Sequence, residues 1–187
     1  MDTKIAARTI SVFALAAAVV GCRGGEHVHA GADEGVTNAI CALAPTAGNR
    51  AAGTVRLVAS GGEVRVTGNV TGLNPNRQHA FHVHEFGDVS SADGSAAGSH
   101  YNPEGHPHGL PVASARHAGD FGNLRADDSG QASIDITVDN ISLAGHHNPV
   151  VGRAIIVHAN EDDGGQPTGN AGARIAQCVI GIAAPAP

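Results

Sequence analysis

Residues 131–139 read QASIDITVD, in which Ala132, Ile134, Ile136 and Val138 alternate with Ser133, Asp135 and Thr137. Successive side chains of a β-strand point to opposite faces, so this pattern is a strand with one face buried and the other wet. EVRVTGNV (63–70) has the same rhythm and follows GTVRLVA (53–59) across Gly61-Gly62, a hairpin signature. AICALA (39–44), HAFHVHEF (79–86), DFGNLRA (120–126), RAIIVHA (153–159) and RIAQCVIGI (174–182) are further short runs of strand composition. Eight short strands, two long loops and no helical periodicity predict an all-β chain, built as an antiparallel sandwich or barrel.

One of those strands is unusual. In AFHVHEFGD (80–88), His82 and His84 lie two residues apart, so their imidazoles share a face, opposite Phe81, Val83 and Glu85. The next stretch, Gly87–Gly119, is rich in Gly, Ser, Ala and Pro and carries His100, His106, His108 and His117. A loop of that length inside a compact domain needs an organiser. The chain has 12 histidines in 187 residues, and imidazole is the commonest metal ligand. It suits both copper and zinc, and a mixed His/Asp set suits zinc. A bound metal is therefore the expected organiser. Eleven Lys+Arg against 17 Asp+Glu give a net charge of −6, which argues against a nucleic-acid-binding face.

The amino terminus reads as a separate part. MDTKIAARTISVFALAAAVVGC begins with basic residues and continues into an apolar run too short to span a bilayer. Residues 1–21 are expected to be an export signal, and VVGC resembles a bacterial lipobox, which implies cleavage before Cys22 and lipid on its thiol. Residues 22–37, polar and glycine-rich, are expected to be a flexible tether. It holds His27 and His29, a weak copper-collecting pair or a solvated tail. Residues 38–187 form the single folded domain. In an exported protein the remaining Cys41 and Cys178 are expected to pair, the alternative being two buried thiols.

The motifs AFHVHEFGD, HYNP, HG, RHAGDFGN, IIVHA and GNAGARIA, in this order across Asn38–Ala184, resemble the copper–zinc superoxide dismutase family. The resemblance implies an eight-stranded Greek-key β-barrel, immunoglobulin-like in its packing. It implies one copper and one zinc per chain, and superoxide as substrate. His82, His84, His100 and His158 resemble the copper ligands. His100, His108, His117 and Asp120 resemble the zinc set, so His100 would serve both metals. His106, two residues from His108, fits the family spacing less well. Asp162 resembles a carboxylate that steadies one ligand of each metal. His79 resembles a structural histidine behind the copper strand, and Arg174 an anion-guiding arginine beside the copper. His146 and His147 read as surface-loop residues. VVGRAIIVH and VIGIA resemble the family's dimer-forming surface, so a homodimer is implied.

The sequence also departs from that pattern. The family's internal disulfide would join a cysteine within Phe86–Ser99 to the residue three after Arg174. The first segment has no cysteine, and the second position is Gln177, with Cys178 next to it. A one-residue shift in a strand moves a side chain to the opposite face. A Cys41–Cys178 cross-link between the first and last strands is expected instead. The untethered loop is expected to be more mobile and more dependent on zinc. Residues 159–173 contain no lysine, so electrostatic steering of the substrate is expected to be weak. The leading reading is a lipid-anchored superoxide dismutase of the cell envelope. The rival is a copper-holding or copper-delivering lipoprotein on the same scaffold.

Overall fold

A computed structural model of the chain describes residues 35–184, together with Met1. Residues 2–21 of the signal segment, Cys22, His27, His29 and most of the tether lie outside the described residues.

The strands are β1 (Asn38–Pro45), β2 (Ala52–Ser60), β3 (Glu63–Thr71), β4 (Gln78–His84), β5 (Asp120–Arg125), β6 (Ala132–Val138), β7 (Ala154–His158), β8 (Arg174–Val179) and β9 (Gly181–Ile182). They pair in the order β5-β4-β7-β8-β1-β2-β3-β6, with the two-residue β9 added to β1. Every pairing between these strands is antiparallel. β5 and β6, the ends of this path, lie close together and nearly close the barrel. The neighbours β3–β6 and β4–β7 are not consecutive in the chain, which gives the crossed connections of a Greek key.

The hairpin between β2 and β3 turns on Gly61 and Gly62, with Ser60 opposite Glu63. Both glycines have positive φ, 61° and 89°, as a two-residue turn with matching strand twist requires. The barrel core gathers Val55, Leu57, Val64, Val66, Val70, Ile134, Val138, Phe81, Val83, Ile155 and Val157. β6 keeps its alternation, burying Ala132, Ile134 and Val138 between exposed Ser133, Asp135 and Thr137.

β4 behaves differently: after Gln78 every residue is buried. Phe81 and Val83 enter the barrel core, while the 87–119 loop covers the outer side. Its one 3-10 turn, Ser95–Ala97, seats Ala97 on Ala154 and Ile156 as a small second core. This covering loop also ends β4 early. Glu85 and Phe86, expected to continue the strand, instead bond the loop at Ser99 O (2.8 Å) and Ala97 O (2.9 Å). The last expected strand is likewise broken at Ile180, whose N–H goes to Arg153 O (2.9 Å), and resumes as β9 on β1.

Cys41 of β1 and Cys178 of β8 are joined by a disulfide inside the barrel, with Cα atoms 5.6 Å apart and a sequence separation of 137.

Candidate metal centre

Two groups of potential ligands lie side by side. His82, His84, His100 and His158 form one, and His100, His108, His117 and Asp120 the other. Within each group the ligand atoms lie within 4.8 Å of one another, and all seven residues are buried. The first group rests mainly on strands: His82 and His84 on β4, and His158 at the end of β7. The second rests on the covering loop and is completed by Asp120, the first residue of β5 and the cross-strand partner of His82. His100 belongs to both, held by a bridge to His84. Its ring centroid lies 4.0 Å from that of His82 and 5.3 Å from that of His108.

The hydrogen bonds fix where each imidazole keeps its proton. Asp162 accepts from two rings, taking His82 Nε2 on Oδ2 and His108 Nε2 on Oδ1, both at 2.8 Å. His84 Nδ1 donates to Gly98 O (3.0 Å) and His158 Nδ1 to Gly172 O (3.2 Å). A neutral imidazole has one N–H, so each ring turns a lone pair inward: Nδ1 of His82 and His108, and Nε2 of His84 and His158. The two inward Nδ1 atoms are buried without a hydrogen-bond partner. His84 Nε2 and His158 Nε2 lie 3.2 Å apart with no proton left to join them. Asp120 Oδ1 lies 3.0, 3.0 and 3.2 Å from Nδ1 of His100, His108 and His117. The His108 approach lacks hydrogen-bond alignment, as expected of donors aimed at a common third point. Buried lone pairs converging in this way are costly unless a cation takes them. The donor chemistry fits copper on the all-imidazole side and zinc on the mixed His/Asp side.

The protonation equilibria agree for His84, His158 and His100 and differ for His108. Burial, with the neighbouring rings, pushes the imidazolium of His84 down to about 2 and that of His158 to about 3. Burial lowers His100 to about 4 against the opposing pull of Asp120. For His108 burial is outweighed by Asp120 and Asp162 together, which raise it to about 9. Burial also opposes ionisation of Asp120 and Asp162. Their histidine and main-chain donors overcome it and hold both carboxyls well below the usual range. Neutral rings facing ionised carboxylates are the states that bind metal, so His84, His158 and His100 are ready as they stand, whereas His108 must first give up the proton that Asp120 and Asp162 hold on it.

Around the two groups stands a frame of hydrogen bonds. His79, near the start of β4, is fully buried, donating from Nδ1 to His158 O (2.8 Å) and accepting the Asn74 N–H at Nε2 (3.3 Å). Asp120 Oδ2 takes the N–H groups of Gly109 and His117, both at 3.0 Å. Gly169, with φ 72°, lies so close to Asp162 that an added Cβ would sit 2.1 Å from Oδ1. Arg174 faces His158 across β7–β8, and its guanidinium donates to Gly94 O and, at 2.6 Å, to Gly98 O. Gly98 O therefore serves both Arg174 and His84. His106 stands apart from both groups, half exposed beside Glu104 (3.2 Å).

Two positioning amides escaped the sequence reading. Asn123 clamps the main chain of Asp162, with Oδ1 accepting its N–H (2.8 Å) and Nδ2 donating to its C=O (2.9 Å). Gln166 does the same for His108, at 3.1 and 2.8 Å. Asn123 stands within the motif RHAGDFGN, whereas nothing in the sequence marks Gln166.

Comparison with known proteins gives a consistent result. The family model for copper/zinc superoxide dismutase matches residues 51–180. A copper–zinc superoxide dismutase of Paramecium bursaria Chlorella virus 1 is 44% identical over 155 residues, covering 79% of this chain and 81% of the viral one. An extracellular copper–zinc superoxide dismutase of Haemonchus contortus is 47% identical over 137 residues, 70% of this chain and 73% of the relative. Among solved structures, the clock protein EA4 superposes with a TM-score of 0.72 at 39% identity, over 79% of this chain and 96% of EA4. On the match to most of the folded domain, with close relatives of the same kind, the chain belongs to the copper/zinc superoxide dismutase family.

Proposed function

We propose that this chain dismutates superoxide: two superoxide anions and two protons yield one O₂ and one hydrogen peroxide. One superoxide gives up an electron and leaves as O₂; a second receives an electron and two protons. In this reading His82, His84, His100 and His158 hold copper, and His100, His108, His117 and Asp120 hold zinc. When bound, copper supplies the one-electron exchange and zinc a redox-silent charge that orders the loop. The observation that carries the reading is the membership of His100 in both ligand groups.

The protein's own residues supply the rest. Arg174, fixed by two carbonyls beside His158, presents a cation to an anionic substrate on a chain of net charge −6. His100 turns Nδ1 toward Asp120 at 3.0 Å, which leaves Nε2 on the side of His82, His84 and His158 to hold or release a proton. Asp162 keeps the Nε2 protons of His82 and His108 in place, so both rings stay oriented. The test is elemental analysis of the purified protein beside a superoxide-decay assay. One copper and one zinc per chain with fast decay are expected. Exchangeable copper without turnover would favour the copper-carrying reading instead.

We further place the domain outside the cytoplasm, carried there by residues 1–21 and tethered through a lipidated Cys22 and residues 22–37. Support comes from the lipobox-like VVGC, from the Cys41–Cys178 disulfide, which suits an oxidising compartment, and from a relative named as extracellular. Exposed Phe86, Val89 and Val179 lie around Gly87 and Val151 and offer an apolar face for a second copy of the chain. Mass analysis of the Cys22 thiol tests the anchor, and sedimentation of the folded domain tests the dimer.

A further inference from the structure

Arg174 owes its position to a loop. Its guanidinium is bound to the carbonyls of Gly94 and Gly98, and Gly98 O also orients His84. Arg174 therefore depends on what holds Val89–Gly98 against the barrel: the buried Ala97, the Ala47 N–H donated to Ala92 O (2.7 Å), and a side chain of β8. The Cys41–Cys178 bond does not hold it, because Cys178 turns into the core, 5% exposed. Its neighbour Gln177 faces the other way. Gln177 sits in the middle of β8, paired with Ala44 on one side and Ile156 on the other, so its backbone is rigid. Its side-chain Nε2 donates to Val89 O (3.3 Å) and Ser91 O (3.1 Å). Its Oε1 is buried without a hydrogen-bond partner, so the amide is oriented by its two donor contacts. Gly94, whose carbonyl receives Arg174, packs against both residues. A Cβ there would lie 3.2 Å from Arg174 Cδ and 3.4 Å from Gln177 Oε1.

We propose that Gln177 is a positioning residue for anion recognition: its amide fastens Val89 and Ser91 to β8, and so fixes the carbonyls that aim Arg174 at the substrate. This rests on the dismutase reading. It assigns separate tasks to adjacent residues. Cys178 staples the barrel through Cys41, whereas Gln177 locks the loop without a thiol. Breaking the disulfide should then soften the barrel while leaving the anion site aimed.

The experiment uses metal-loaded protein, with azide as an anion probe followed by absorption at the copper, and hydrogen exchange of the 89–98 amides. Gln177→Met keeps the volume but removes the donor. Loss of the two bonds should weaken azide binding and raise KM about tenfold, with kcat changed far less, and should speed exchange across 89–98 by a similar factor. Gln177→Glu, which offers only acceptors to the two carbonyls, should behave alike or worse, and serves if the Met variant does not fold. The Cys41→Ser/Cys178→Ser variant should melt earlier yet bind azide like the parent. Parent-like azide binding and exchange in the Gln177 variants would overturn the proposal. So would an equal loss of azide affinity in the disulfide variant, because the effect would then be general softening. A parent protein that holds both metals and azide but does not dismutate would instead defeat the dismutase reading.

Discussion

The two ligand groups share His100 and are built in opposite ways. His82, His84 and His158 stand on β4 and β7, strands buried on both faces and held by the barrel's hydrogen-bond ladder. His108 and His117 stand on a loop held by side-chain contacts: Asp120 receives two loop N–H groups and Gln166 brackets His108. The strand group costs little to keep ready, because core packing sets its backbone. The loop group is ordered by carboxylates and amides whose hydrogen bonds each contribute only about 1 kcal/mol. The electrostatics split along the same line. Burial lowers the imidazolium pKa of His84 and His158, whereas two carboxylates raise that of His108.

That split predicts the largest effect, in the metal-free protein. His84, His158 and His100 have folded pKa values of about 2, 3 and 4, below the usual 6.5. The unfolded chain therefore takes up their protons first. The stability they allow is complete above pH 6.5 and is lost as pH falls through that value, by about 1.4 kcal/mol per pH unit for each ring that stays neutral. His108, raised to about 9, works in reverse: its contribution is complete below pH 6.5 and is lost as pH rises toward 9. Thermal melts of metal-free protein should show a steep acid limb from the strand side and a shallower alkaline limb from His108. His84→Gln should flatten only the former and His108→Gln only the latter. A melt indifferent to pH between 6.5 and 4 would break the comparison.

Next in size is the disulfide, which belongs to the barrel and to neither group. Cys41→Ser should cost about 2–5 kcal/mol. For a domain of this size that lowers Tm by roughly 5–15 °C. Copper and zinc affinities, measured by chelator competition, should be unchanged. A parallel loss of either metal would mean that the barrel staple also shapes a ligand group.

This contrast also explains what could be read from the sequence. Alternation in QASIDITVD announced a half-exposed strand, and β6 is one, because only its neighbours decide its burial. β4 follows the same period, yet its second face is covered by the irregular loop that follows it, whose fold no local pattern fixes, so its end at His84 was not legible. His82, His84 and Asp120 stand in compact motifs whose local spacing places them. Gln166 and Gln177 act across 58 and up to 88 residues through ordinary amides, and no local pattern marks such a partner. The face taken by Gln177 did follow from strand parity, since Cys178 beside it points into the core. The donors it offers to Val89 and Ser91 did not.

Asp162 is where the two groups are tied together outside His100, and its removal should affect both. Asp162→Ala leaves His82 Nε2 and His108 Nε2 without their acceptor and frees both rings to change tautomer. Loss of a carboxylate that orients a ligand histidine lowers metal affinity about 10–100-fold. The expected outcome is weaker copper and weaker zinc in one variant, read as metal content after dialysis against a graded chelator. Loss of one metal alone would show that a single ring depends on Asp162.

The smallest effect separates the groups most cleanly. Gln166 touches only the loop side, bonding both main-chain groups of His108. These are neutral, partly buried bonds, and water can replace them in part, so the net loss in Gln166→Ala is about 1 kcal/mol. Zinc affinity should fall only a few-fold, by about 3–10 times. Copper affinity should hold, because His82, His84 and His158 keep every partner they have. A competitive titration with a zinc chelator, followed by one with a copper chelator, reads the two constants in one sample. If copper weakens as much as zinc, the strand group is not self-supporting, and the loop must be counted as part of its frame.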